Sequence, residues 1–383
     1  MTDIFRRHGA VFDAANALTP GQVKVLRALM VCRSAALGGH LEICDCGFER
    51  PVYNSCRNRH CPGCQSFAQR KWIEERLDRV LPTHHFHVVF TVPAELRPIA
   101  YRNRAVVYGI FMRAAAEVLR TLGEQRLEAT LGITEVLHTW TREMLLHPHV
   151  HCVVTGGGLS LDGTRWAATP RHFLFPVAVM RRLFRTVVRR ELLRAFQKGK
   201  LAFDGATAAL ADVTPFRRLL RGIRRKEWVV HCKEPFAGPK HVFEYLGRYT
   251  HRVAISDQRL LAVSDTAVTF RTRGAGVITV KPAEFMRRFL LHVLPDRFHK
   301  IRHFGLYASS ATNGRLDVAA SLLGPPAPAP PEVTAETDGA EDVVSEPIDI
   351  DQRHCPVCKH GLLQRVPLSF ARPRSPPEPL NSS

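Results

Sequence analysis

Six of the ten cysteines fall between Cys32 and Cys64, and two more stand together at Cys355 and Cys358. Nothing else constrains the fold as strongly, because clustered thiols in a reducing compartment are metal ligands before they are disulfides. A reducing compartment is the expectation. The start, MTDIFRRHGAVFDAANAL, lacks an apolar signal-peptide core, and no run of eighteen apolar residues offers a membrane span, so the chain reads as cytosolic. Cys61-Pro62-Gly63-Cys64 has the make-up of a zinc knuckle, since Pro and Gly suit the turn between two thiolates. Cys44-Asp45-Cys46 is tighter than the usual two-residue spacer. Cys56 and His60 could fill a remaining position or belong to a second metal, and Cys32 could be a ligand but reads first as a core residue of the preceding helix. Cys355-Pro-Val-Cys358 is half of another site: it takes ligands from His354 and His360, docks on another part of the chain, or binds nothing.

Charge narrows the partner. Lys and Arg number 54 against 35 acidic residues, a net charge of +19, which favours a polyanion through counterion release and places the protein at the nucleoid. Residues 325–352 hold eight acidic residues and no Lys or Arg. Setting them aside raises the remainder from +19 to +27. That Pro/Ala-rich stretch reads as a disordered linker, as does the tail 366–383, with the Cys355–Cys358 knuckle at 353–365 between them.

Periodicity organises the rest. Residues 1–40 read as two helical stretches, 41–70 as the zinc module, and 71–80 as a helix leading out of it. Strands are expected at 84–92, 132–141 and 147–155, the last two joined by a short turn and the third ending at Gly156-Gly-Gly158, where a phosphate backbone could approach. Helices are expected at 102–129, 177–199, 213–226 and 238–250, with a short strand at 228–230. Arg181, Arg182, Arg185, Arg189, Arg190 and Arg194 suggest a phosphate-tracking helix face.

Two constellations carry chemistry. In His147-Pro-His149-Val-His151, residues two apart on a strand share a face, so His149 and His151 present paired imidazoles to a divalent cation. In Tyr245-Leu-Gly-Arg-Tyr249-Thr-His-Arg252, tyrosines at i and i+4 share a helix face. A phenol with a pKa near ~10 is a weak nucleophile and needs help, which a metal on the phosphate and the guanidiniums of Arg248 and Arg252 could supply. Together, the two motifs on a basic body fit tyrosine attack on a DNA phosphate.

These residues closely resemble the two-tyrosine HUH transposases of rolling-circle insertion sequences, insertion-sequence family ninety-one. The likeness runs from Ile4 to Ser309 through ordered blocks: CRSAALGGHLEICDCG, YNSCRNRHCPGCQ, HVVFTVPAELR, LHTWTREMLLHPHVHCVVTGGGL, WVVHCKEPFAGPKHVFEYLGRYTHRVAIS and EFMRRFLLHVLPDRFHKIRHFGLYAS. The resemblance implies an α+β fold, with a mainly antiparallel sheet and flanking helices as an HUH tyrosine nuclease over 71–310, preceded by the small zinc module. It implies His149 and His151 as ligands of catalytic Mg²⁺ or Mn²⁺, Tyr245 and Tyr249 as nucleophiles, and Cys44, Cys46, Cys61 and Cys64 on structural Zn²⁺. The substrates would be single-stranded DNA at the element ends and target DNA, cleaved through a 5′-phosphotyrosine. The candidates for the third catalytic-metal ligand are Glu143 and a polar group near the tyrosine helix. Residues 271–283 depart from the family pattern by being shorter and less charged. A zinc-dependent DNA-binding protein without catalysis, a water-using metal nuclease and an HUH-type replication initiator are the rival readings.

Overall fold

The computed structural model describes residues 1–77, 79–233, 247, 253–308, 313–325 and 354–368. The expected linker from 326, and the helix at 238–250 apart from Gly247, lie outside the described residues.

Helices α1 (Thr2–Ala15) and α2 (Pro20–Val31) open the chain, the second started by a Thr19/Gln22 capping box with Pro20 in the first turn. A hairpin, β1 (Gly39–Ile43) and β2 (Glu49–Tyr53), precedes α3 (Pro62–Leu77) and β3 (His85–Thr91). Helices α4 (Arg97–Arg102) and α5 (Arg104–Leu127) lead into the long hairpin β4 (Ala129–Trp140) and β5 (Leu146–Ser160), then the short β6 (Trp166–Ala168). Helices α6 (Val177–Gln197) and α7 (Val213–Gly222) and strand β7 (Val229–Lys233) follow. Beyond residue 253 come β8 (Leu260–Val263), β9 (Val268–Arg271), β10 (Val277–Val280), α8 (Pro282–Leu290), β11 (Ile301–Gly305) and α9 (Asn313–Leu323). The last described strand is β12 (Gln364–Pro367).

The principal sheet runs β11-β4-β5-β3-β7, antiparallel throughout, with β6 paired to the end of β5. Its two faces follow from alternation along each strand. Phe86, Val88 and Phe90 of β3 and Val150, Cys152 and Val154 of β5 point to one side, into a core closed by α5 and α6. Val136 and Val153 point to the other, against Leu316 and Ala319 of α9 and Trp72 and Leu77 of α3. The architecture is α+β, as expected.

A second core unites distant segments. Ile4, Phe5, Val25 and Leu29 of the first two helices pack with Val268, Phe270, Phe285 and Phe289, and with Cys32 and Cys61. The N-terminal helices therefore share one interior with residues 253–293. Strands β8, β9 and β10 form a separate antiparallel sheet over it, so the stretch at 271–283 is a hairpin leading into α8.

Two expectations change. β5 does not end at the glycine run: it continues to Ser160, and the glycines admit protein rather than phosphate. A Cβ on Gly158 would lie 2.6 Å from the Thr130 carbonyl oxygen, and one on Gly157 would lie 2.7 Å from the Trp166 indole nitrogen. The tail expected to be disordered from 366 begins inside β12, which pairs with β1.

Candidate metal centres and catalytic site

The β4–β5 register sets His138 directly opposite His149, and His151 lies two residues on, facing the same side. One ring nitrogen from each of His138, His149 and His151 lies within 4.8 Å of the other two. Ring centroids are 4.2 Å apart for His138–His151 and 4.8 Å for His149–His151. Each ring is braced. His149 Nδ1–H donates to the His147 carbonyl oxygen at 2.7 Å, which leaves Nε2 with its lone pair. His151 Nδ1 is 2.8 Å from His87 Nε2, a contact that fixes the orientation of the ring. His138 stacks on Trp140 at 4.7 Å.

Electrostatics favours the ligand form. Burial pushes His149 down to about 4, and the carbonyl bond from His147 opposes this only partly. Burial, then the neighbouring His138, His149 and His87, holds His151 well below the usual histidine range. Neutral imidazoles are what a divalent ion takes. His147 stands outside the cluster, accepting from Arg97 at 2.9 Å, and Glu143 is exposed in the β4–β5 turn. The imidazole of His138, which sequence reasoning missed, occupies the third position. No sequence signal gives this pairing, because it depends on a register shift between His138 and Trp140 that carries His138 onto the face of His149.

Tyr245, Arg248, Tyr249 and Arg252 lie outside the described residues. Gly247, between the tyrosines, is helical, buried and packed against the Ile73 side chain of α3, where a Cβ would not fit. Trp72 and Leu77 of α3 pack with Val136 and Val153 on the histidine-bearing face of the sheet.

The cysteines sort into two groups of four. Cys32, Cys56, Cys61 and Cys64 form one; Cys44, Cys46, Cys355 and Cys358 form the other. The expected set of Cys44, Cys46, Cys61 and Cys64 is thus divided between two clusters, and Cys32, at the C-terminal cap of α2, is a cluster member rather than a mere core residue. Spacing along the chain identifies pairs but does not say which pairs meet. In the first group Cys32 Sγ lies 3.6 Å from the sulfurs of both Cys61 and Cys64, and Cys56 Sγ lies 3.6 Å from Cys64. A tetrahedron with arms of about 2.3 Å has edges of about 3.8 Å, so four sulfurs at this spacing fit zinc. Within the group the Cys56 thiol is drawn down, chiefly by a hydrogen bond from Cys61, and the same bond pushes Cys61 up.

A family model described as "Transposase zinc-binding domain" matches residues 4–92, and one described as "Putative transposase" matches 132–314. The chain is 47% identical over 371 residues to "Putative transposase y4qJ" of Sinorhizobium fredii, covering 94% of this chain and 93% of that protein. It is 28% identical over 297 residues to "Transposase for insertion sequence element IS801" of Pseudomonas savastanoi pv. phaseolicola, covering 75% of this chain and 70% of that protein. The chain belongs to the IS91 family of transposases. No solved structure gives a significant match.

The zinc-binding region of this transposase encloses Cys32, Cys56, Cys61 and Cys64, whose donor set suits a structural ion. His60 is not part of it. Its Nε2 accepts the Leu294 N–H at 3.1 Å, and burial, aided by Arg59, pushes it down to about 3, so its lone pair is spent on the backbone. Arg59 donates to the carbonyls of Phe298, Leu294 and Pro295, at 2.8, 3.4 and 2.5 Å. Arg59 and His60 therefore fasten the knuckle to the loop after α8. The arginine row of α6 is also used largely in the fold. Arg190 holds Glu117 at 2.8 Å, Arg194 holds Glu191 at 2.7 Å, and Arg189 and Arg185 donate to carbonyls of Leu220 and Arg224. Exposed arginines remain at Arg181 and Arg182, and on the adjoining α7 at Arg217, Arg218 and Arg221. No described helix is long and apolar enough to cross a membrane.

Proposed function

We propose that this transposase cuts and rejoins single-stranded DNA at the ends of a rolling-circle element, with Tyr245 and Tyr249 as nucleophiles and His138, His149 and His151 as ligands of catalytic Mg²⁺ or Mn²⁺. The observation that carries the reading is the cross-strand histidine cluster in a member of this family. Three imidazoles from two adjacent strands leave coordination positions for substrate oxygens, as a catalytic site requires. The ion, when bound, would stabilise the charge that builds on the scissile phosphate.

The remaining chemistry belongs to the chain. A tyrosine Oη loses its proton and attacks phosphorus in line, so the Oη–P bond forms as the P–O3′ bond breaks. The departing oxygen is protonated to a 3′-OH, and the 5′-phosphate stays on the tyrosine. Reversal by an incoming 3′-OH rejoins a strand at no net cost in phosphodiester energy, and a second tyrosine permits a second cut while the first is occupied. Arg248 and Arg252, beside the tyrosines in sequence, offset phosphate charge, and the exposed arginines of α6 and α7 supply further contacts to the backbone. Support for bringing the tyrosine segment to the metal comes from Gly247, whose packing partner α3 lies on the histidine-bearing face.

Covalent trapping tests the reading. Labelled single-stranded DNA from the element's own ends, incubated with protein and Mn²⁺, should yield a protein-linked label on a denaturing gel. The label should vanish in Tyr245→Phe/Tyr249→Phe and in His149→Ala. Cleavage without an adduct would point to a water-using nuclease, and binding without cleavage to a DNA-binding protein.

A further inference from the structure

We infer that Cys44, Cys46, Cys355 and Cys358 form a second, composite zinc site that clamps the C-terminal knuckle onto the N-terminal hairpin. The four sulfurs lie within 4.8 Å of one another, with Cys44–Cys358 at 3.7 Å and Cys46–Cys355 at 3.6 Å. Those spacings match the edge of about 3.8 Å expected of a zinc tetrathiolate and exceed a disulfide bond of about 2.05 Å. The tight Cys44-Asp-Cys46 spacing and the half-site at Cys355–Cys358 explain one another: each pair supplies the two ligands the other lacks. His354 and His360 do not join the group.

The surroundings are built for thiolates. Backbone N–H groups of Val357 and Gly361 donate to the sulfurs of Cys355 and Cys358 at 3.4 and 3.2 Å, the hydrogen bonds that steady a knuckle's ligands. A Cβ on Gly361 would stand 2.5 Å from Cys44 Sγ and 3.0 Å from Cys358 Sγ, so the backbone there lies against the sulfurs themselves.

A separate observation shows the two segments joined. β12 pairs antiparallel with β1 over four residues, from His40–Pro367 to Ile43–Gln364, and Arg365 reaches the buried Glu42 carboxylate at 3.6 Å. That junction is too slight to hold by itself. Every residue of β12 is exposed, and Val357 and Leu362 are 66% and 59% exposed. Of the described residues 354–368, none enters a hydrophobic core cluster. A segment this short without apolar burial needs a staple, and a metal bound by four thiolates is one. The ion closes the chain across 314 residues, from Cys44 to Cys358.

Zinc content of the full-length protein tests this, and no part of the test depends on DNA cleavage. Cys44→Ser/Cys46→Ser and Cys355→Ser/Cys358→Ser should each hold one ion fewer per chain than the wild type. The four-fold variant should also lose one ion, not two, because both pairs serve the same metal. Wild-type zinc content in Cys355→Ser/Cys358→Ser, or a loss of two ions in the four-fold variant, would overturn the proposal. A second measurement spares the cysteines. With a protease site inserted between residues 330 and 350 and cleaved, the C-terminal fragment should remain with the body until a chelator is added. Release before chelation, from protein with its zinc intact, refutes the clamp.

Discussion

The four sulfurs of Cys32, Cys56, Cys61 and Cys64 and the three imidazoles of His138, His149 and His151 are both suited to a cation, yet they differ in what they leave open. The sulfur cluster offers a full tetrahedron and sits in the core that joins α1, α2 and α8, with Cys32 and Cys61 fully buried. A closed site of that kind can only hold structure together. The histidine cluster offers three ligands from one hairpin, so a bound ion keeps room for a substrate oxygen. The first is made mainly by a turn, Cys61-Pro-Gly-Cys64, closing on a helix end. The second is made by strand register, which a one-residue slip would destroy. Closed and open sites should therefore fail in different ways, one through folding and the other through chemistry.

Breaking the closed site should have the largest effect. Cys61→Ser should abolish cooperative unfolding, since structural zinc contributes about 10 kcal/mol or more against a typical domain stability of about 5–15 kcal/mol. A wild-type melting temperature in that variant would erase the distinction drawn above. Next, His149→Ala should lower DNA cleavage by about a hundredfold or more, as expected for losing several kcal/mol of charge stabilisation. Its melting temperature should stay within a few degrees of wild type, because His149 belongs to none of the hydrophobic core clusters. His87→Ala sharpens the open site further. With the Nδ1 partner of His151 gone, Mn²⁺ affinity should fall by about 10–100-fold, read by metal titration of adduct formation. The smallest effect is reserved for His60→Ala. It leaves the buried Leu294 N–H without its acceptor and should cost about 1–3 kcal/mol in denaturant unfolding, with zinc content unchanged. A loss of zinc there would return His60 to the ligand set.

Much of the open site was legible. His149 and His151 share a face because a strand alternates, and the strands at 84–92, 132–141 and 147–155 were marked by β-branched and aromatic runs between turn residues. His138 was hidden only by register, a property of two strands together. The cysteines were harder. Cys61–Cys64 declares itself through Pro62 and Gly63, whereas Cys32 ends a helix whose apolar spacing equally describes a core residue. The α6 arginines were ambiguous for a similar reason. A basic stripe looks the same in sequence whether it faces phosphate or, as with Arg185 and Arg189, the carbonyls at the end of α7.

What the amino-acid order determined alone is local and compositional: the basic body, the knuckles, the alternation that pairs His149 with His151, and the helices with their caps. Those depend on neighbours within a few residues, where backbone geometry leaves few choices. Only the tertiary structure decided which cysteine pairs meet, that His138 stands opposite His149, and that His60 holds a backbone amide instead of a metal. Each joins groups far apart in the chain or on separate strands. The spacing of ligands along a sequence carries no information about that closure, which the packing of the whole molecule supplies.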